Sequence, residues 1–384
     1  MATLSEAVSP SVSRPAARYL YSPVVDFLLL GGGSLLVLPA VALAFPAPER
    51  PAVLVAVSLV IAHFVNHPHF AHSYQIFYKD FSSKLTNRDL SKSLRARYFI
   101  SGILVPVILA AFFAIAMSKG DLILLGLAAN LMTLLVGWHY VKQGYGMLIV
   151  DSVLKRHYYG SIQKKILLLN AYVVWAYAWT RVNVAIAEQD YWNLSYYSFA
   201  LPEWLLTATT ALMALSTAAA AGVILADLFS RPAPRPWNGV VAYFTTLYLW
   251  TAFVSFNPAL LLLVPAFHSL QYLAVVWRFK LNATTSDAAA KERPKQPLFG
   301  WQLPTVGTIR LLNFALMGML LGFLGFWWIP QKLDAWVGYD EAIFGPTLFL
   351  FVFWLFINVH HYFLDSVMWR AENPEVRQNL FAPK

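Results

Sequence analysis

Apolar residues run through this chain in ten long stretches. They lie at about 25–46, 52–78, 98–117, 122–150, 165–187, 203–229, 238–256, 258–278, 305–329 and 342–369, and short polar segments divide them. A helix needs ~20 predominantly apolar residues to cross a bilayer, and every stretch is close to that length or above it. The pattern predicts an all-α, polytopic membrane helix bundle with about ten transmembrane helices. It divides the chain into an N-terminal segment (1–24), one transmembrane domain (25–369) and a C-terminal tail (370–384). The longest polar connection, about 280–304, is too small to fold alone. The first stretch is too long for the apolar core of a signal peptide and reads as a retained span. Its Gly31-Gly32-Gly33-Ser34 run has no Gly-Lys-Ser/Thr after it, so it predicts close helix approach rather than phosphate binding.

Charge adds an orientation. Arg14, Arg18, Lys79, Lys84, Arg88, Lys92, Arg95, Arg97, Lys155, Arg156, Lys164 and Lys165 fall in one alternating set of connections. Arg231, Arg235, Arg278, Lys280, Lys291, Arg293, Lys295, Arg370, Arg377 and Lys384 continue that set. The opposite set holds only Arg50, Lys119 and Lys332. Basic loops stay cytoplasmic, so both termini are expected there, in the cytoplasmic (inner) membrane if the source is bacterial. The same asymmetry accounts for the net charge of +9 without a nucleic-acid partner.

Composition narrows the class. Charged residues make up 12% of the chain against roughly 25% in soluble domains, and mean hydropathy is +0.56. That excludes disorder, fibres and an ordinary soluble enzyme. The absence of cysteine removes disulfides, thiolate metal sites, iron–sulfur clusters and a thiol nucleophile. There is no Walker A sequence, no dinucleotide fingerprint and no cytochrome b5-like segment.

The histidines carry the candidate chemistry. Eight of nine fall within predicted spans: His63, His67, His69, His72, His139, His268, His360 and His361, whereas His157 lies in a basic loop and reads as a surface residue. Ionisable groups are costly in a bilayer, so each is a functional candidate. His268 precedes Arg278, His360 precedes Arg370 and His69 precedes Lys79 by ten residues each, and His139 precedes Asp151 by twelve. At 1.5 Å per residue, four helices then bring histidine to one level, about 15 Å from the cytoplasmic edge. His63 and His67 share a helical face at i,i+4, as do His361 and Asp365, while Pro68 predicts a kink that aims the imidazoles. The expected metal ligands are these eight histidines and Asp365. Asn66, Gln75, Gln143, Gln271 and Asn358 are placed to hold the second ring nitrogens. Tyr140, Tyr145 and Tyr272 lie near the histidine level as candidate substrate contacts, and Arg181 is a candidate partner for a substrate carboxylate. Asp365 has Lys142 as an alternative partner. A nitrogen-rich set without sulfur suits a transition metal, and oxidation of an apolar substrate favours iron, one or two ions. Zinc, copper and bis-histidine haem are the other cofactors such ligands accept.

His63-x3-His67 and His360-His361 resemble the histidine boxes of integral-membrane desaturases and hydroxylases, and the spread over several spans resembles membrane-bound carotenoid-cleaving oxygenases. A His-x2-His-His box would place histidine at 357, where Ile357 stands. The resemblance implies an oxidoreductase of the oxygenase or desaturase type, acting on a lipophilic small molecule in the bilayer. A cytosolic electron-donor protein is the partner it implies. A proton- or metal-coupled transporter and a haem-binding membrane subunit are the alternative functions.

Overall fold

The computed structural model describes residues 19–45, 52–184, 190–191, 194–230, 234–252, 258–287, 291–292 and 304–381. Within them lie ten long helices: α1 (Pro23–Ala44), α2 (Ala52–Tyr78), α3 (Lys92–Ser118), α4 (Leu122–Leu154) and α5 (Ser161–Val184), then α6 (Glu203–Ser230), α7 (237–252), α8 (Val264–Thr285), α9 (Val306–Trp336) and α10 (Leu348–Met368). Each overlaps one of the ten apolar stretches, with ends that differ by up to seven residues. Seven are long and apolar enough to cross a membrane. The other three are α5, α7 and α8. Lys164, Lys165 and Arg181 charge α5, Arg278 and Lys280 charge α8, and α7 is short. A two-residue antiparallel ladder, Asp190–Tyr191 with Leu194–Ser195, lies between α5 and α6.

Short polar side chains start the helices. Ser22, Ser91, Asp121 and Thr305 accept from backbone N–H groups in the first turns of α1, α3, α4 and α9. At the end of α2, Lys84 donates to the carbonyls of Ile76 (2.8 Å) and Phe77 (3.2 Å).

Three helices open into a π turn just before a proline: 62–66 before Pro68, 100–104 before Pro106 and 324–328 before Pro330. Proline has no N–H, and its ring collides with the carbonyl four residues back, so widening that turn removes the collision. The π register also frees carbonyls. In α3, Val105 donates to Ile100 rather than to Ser101, and Pro106 has nothing to give Gly102. Those two carbonyls accept from other elements: His360 Nε2 contacts Ser101 O at 2.9 Å and Tyr78 donates its hydroxyl to Gly102 O at 2.7 Å.

Helix α4 runs up the middle and packs on α5, α7 and α10. In α10, 67% of the apolar window is buried, against 11% in α6, so α10 is an interior post and α6 an outer helix. Exposed Leu212, Leu215, Leu316 and Leu320 give α6 and α9 apolar outer faces. Helices α2 and α9 pack closely. A Cβ on Gly318 would run into the His72 ring, and one on Gly322 would stand 2.8 Å from the backbone carbonyl carbon of His67. Small residues four apart let helix backbones approach this closely. At the other side, Gly31 adopts φ 157° and faces Ala242 and Thr245 of α7, the close approach expected of the glycine run.

Candidate metal centre

Four helices deliver side chains to one buried point: His69 from α2, His139 from α4, His268 from α8, and His361 with Asp365 from α10. Ring centroids are 4.7 Å apart for His69–His361, 5.0 Å for His139–His361, 4.9 Å for His139–His268 and 5.4 Å for His69–His268. All five side chains are buried. Asp365 Oδ2 lies 3.3 Å from His361 Nε2 and 3.7 Å from His139 Nε2, and His139, His361 and Asp365 form a group whose ligand atoms lie within 4.8 Å of one another.

With Asp365 ionised, the hydrogen-bond network orders the protons. His69 Nδ1 is 2.6 Å from the Asn66 carbonyl, which can only accept, so Nδ1 carries the hydrogen and Nε2 the lone pair. Tyr272 donates its single hydroxyl proton to Asp365 Oδ1 at 2.9 Å. Ser73 is 2.7 Å from Tyr272 and 3.2 Å from the His69 carbonyl; giving its proton to the closer Tyr272 oxygen, it accepts from His361 Nδ1 at 2.8 Å. His361 Nε2 is therefore also a lone pair. These two Nε2 atoms face each other across 3.2 Å. Two neutral lone pairs repel at that range unless a cation lies between them. His139 Nε2, His268 Nδ1 and Asp365 Oδ2 are buried there without a hydrogen-bond partner, which is costly for a polar atom away from water.

This donor set fits a metal ion. Two nitrogens on one ion at 2.0–2.1 Å stand about 2.9–3.4 Å apart for angles between 90° and tetrahedral. The 3.2 Å between the Nε2 atoms and the 3.3 Å from His361 to Asp365 lie in that range. Axial haem ligands would face each other across the iron at about twice a bond length, near 4 Å. The His69–His361 pair is too close for that role.

The surrounding groups hold the ligands. Asn66 accepts from His69 through its carbonyl and from Ser269 through Oδ1 (2.8 Å), and Ser269 sits 2.9 Å from His69 Nδ1. Gln143 donates to the His268 carbonyl (3.1 Å) and to Gln271 Oε1 (2.7 Å), and Gln271 donates to the Leu30 carbonyl. These two side chains therefore tie α4, α8 and α1 together and leave the ring nitrogens alone. Asn358 accepts from Tyr362, whose ring stacks on His139 at 4.8 Å. Tyr140 stacks on His268 at 4.1 Å, and Trp369 donates to the Tyr272 hydroxyl at 3.3 Å.

Other candidates lie elsewhere. His63 and His67 pair edge-to-face at 5.2 Å beside Trp327 and Phe326 of the α9 π turn. Helical spacing brings these two together and turns them from the centre, because His67 and His69 are two residues apart on a regular helical segment and so point about 200° apart. His72 stacks on Phe314 and bonds Gln75. His360 has both ring nitrogens engaged, by Tyr74 (2.9 Å) and Ser101. Tyr145 packs among α4, α5, α6 and α7 with Lys142 over its ring, so Lys142 is not the partner of Asp365. Arg181 donates to Tyr177 at 3.3 Å, away from the centre. His157 is buried against Asp227 rather than exposed on a loop surface.

Ser73, Ser269, Tyr362 and Trp369 are the participants that histidine counting passes over. A sequence signal for the serines exists. His-Ser-x-Gln occurs at 72–75 and again at 268–271, and both serines reach a ligand ring nitrogen. No match is found for the chain among protein-family models, curated proteins or solved structures.

Proposed function

We propose that this protein is a membrane-embedded metalloenzyme, an oxidoreductase of the non-haem oxygenase or desaturase type acting on a lipophilic substrate. The observation that carries the reading is the facing Nε2 pair of His69 and His361, 3.2 Å apart, with the unpartnered Asp365 Oδ2 beside it. His69, His139, His361 and Asp365 would hold one ion, with His268 as a further nitrogen at its edge. Three neutral imidazoles and a carboxylate suit iron, and also accept zinc or copper. A bound iron would supply dioxygen activation, the chemistry that unactivated carbon in a lipid requires. The chain's own residues fix the ligand tautomers through Asn66 and Ser73, hold Asp365 through Tyr272, and surround the centre with aromatic rings that exclude water. Among the described residues, His139, His361 and Asp365 are the one group whose ligand atoms lie within 4.8 Å of one another, which supports one ion per chain rather than two.

The test is elemental analysis of detergent-purified protein together with an optical spectrum. The expected result is about one iron per chain, no Soret band, and loss of the metal in His69→Ala and His361→Ala but not in His360→Ala. A Soret band would assign the histidines to haem. No metal after reconstitution would overturn the reading in favour of a proton pathway in a transporter.

A further inference from the structure

A cavity of about 600 Å³ opens at the end of the bundle where α2, α8 and α9 meet. Three cations line it: Lys79 just past α2, Lys280 on α8 and Arg310 on α9. One carboxylate faces them, Asp287, bonded to Arg310 at 2.5 Å. The ammonium of Lys280 lies over the Phe314 ring, 4.7 Å from its centre. Lys79 also pairs with Asp80 at 3.9 Å, so the three cations meet two carboxylates and the rim keeps one positive charge in excess; Ala283, Phe314 and Met317 give the wall its apolar part.

Two features tie this cavity to the bilayer and to the centre. Met317 lines it and is 46% exposed, and Leu316, Leu320 and Leu321 continue an exposed apolar strip along α9. A chain leaving the cavity can therefore stay on an apolar surface. The inner wall is Gln75 and Phe314, the two residues that hold His72, one turn along α2 from His69. Lys79 stands ten residues from His69, about 15 Å at 1.5 Å per residue. An anchored head would thus leave part of a long chain at the level of the metal ligands.

We propose that this cavity seats the anionic head of a long-chain amphiphile on Lys79, Lys280 and Arg310, with its tail along the exposed face of α9. That amphiphile is the substrate class of the histidine centre, a step that rests on the oxidoreductase reading above. The role expected of Arg181 moves here, to cations on different helices. Carboxylate and phosphate heads share the required charge, and cations that grip through charge-assisted hydrogen bonds discriminate both from neutral heads.

The experiment is photo-cross-linking of the full chain in detergent, with diazirine-bearing oleate and diazirine-bearing phosphatidylglycerol, mapped by mass spectrometry. Cross-links on α9 near Met317 are expected. They should fall about tenfold in Lys280→Ala/Arg310→Ala and recover in Lys280→Arg/Arg310→Lys. Met317→Trp, which narrows the cavity beside the tail path and keeps the charges, should also reduce them. Size-exclusion profile and metal content, read on the same samples, should be unchanged. Capture of oleate identifies a free acid and capture of phosphatidylglycerol a phospholipid, and either supports the proposal. Equal competition by oleyl alcohol, or labelling insensitive to both variants, overturns it. The two readings fail separately. His69→Ala should lose metal but keep the cross-link, whereas a failed cavity leaves the metal in place.

Discussion

Ser73 decides which nitrogen of His361 faces the centre. With Asp365 ionised and accepting from Tyr272, the Ser73 hydroxyl gives its proton to Tyr272 and takes one from His361 Nδ1, so the Nε2 lone pair is left for the ligand position. Groups that orient a metal-bound histidine in this way typically change affinity by 10–100-fold when removed. Ser73→Ala is therefore expected to weaken metal retention by about that factor in a chelator titration, with Ser73→Thr recovering part of it. Equal chelator resistance in Ser73→Ala and the wild type would remove Ser73 from this role. The same residue marks the limit of what can be read from the chain. His139, His268, His361 and Asp365 are legible because charge is rare in apolar spans. The separation of His361 from His360 is not, because adjacent residues point about 100° apart on a helix and only the neighbouring helices decide which direction is the centre. His360 is taken by a carbonyl that exists only because Pro106, far away in sequence, opens a π turn in α3.

At the scale of the element, the apolar stretches give the ten helices to within about seven residues at either end, since length and hydropathy are local properties. The π turns are hidden from that pattern, because a proline inside an apolar run states that a bond is missing and not how the helix absorbs the loss. Helix pairing is partly hidden too. Gly318 and Gly322 signal a close approach, but not that α2 is the partner or that two histidines fill the contact. At Gly322 the neighbour is the main chain of His67, which cannot rotate away as a side chain can. Overpacking of a tight contact costs about 1–3 kcal/mol. Gly322→Ala is expected to lower the unfolding midpoint in detergent and to disturb metal binding, because the shift falls on α2 two residues from His69. At Gly222 on α6 a Cβ meets nothing within 4 Å. Gly222→Ala should leave both readouts at the wild-type level, and an unchanged Gly322→Ala would show that α2 and α9 are less tightly joined than described.

For the whole molecule the open quantity is how many times the chain crosses the bilayer. Seven helices qualify by length and composition, and the alternation of basic connections leads us to expect crossings at α5, α7 and α8 as well. The polar content of those three helices is where the site and its braces are anchored: His268 and Gln271 on α8, and Asn170 of α5 bonded to Tyr243 of α7 at 2.9 Å. A helix can carry such groups across a membrane when they face protein, and these side chains are buried. We therefore expect all ten to cross. The chain has no cysteine, so single cysteines can be introduced at Gly160, Ser198, Pro234, Leu261 and Ser286 without background. Labelled in sealed inside-out vesicles with a membrane-impermeant maleimide, residues 160, 234 and 286 should react, and residues 198 and 261 only after permeabilisation. Gly160 and Ser198 on one side would mean that α5 does not cross. Residues 234 and 261 on one side would mean that α7 and α8 enter and leave from the same face. That second outcome would bring His268 to the centre on a re-entrant helix, and would place the Lys280–Arg310 cavity by a different route than the basic-loop rule gives.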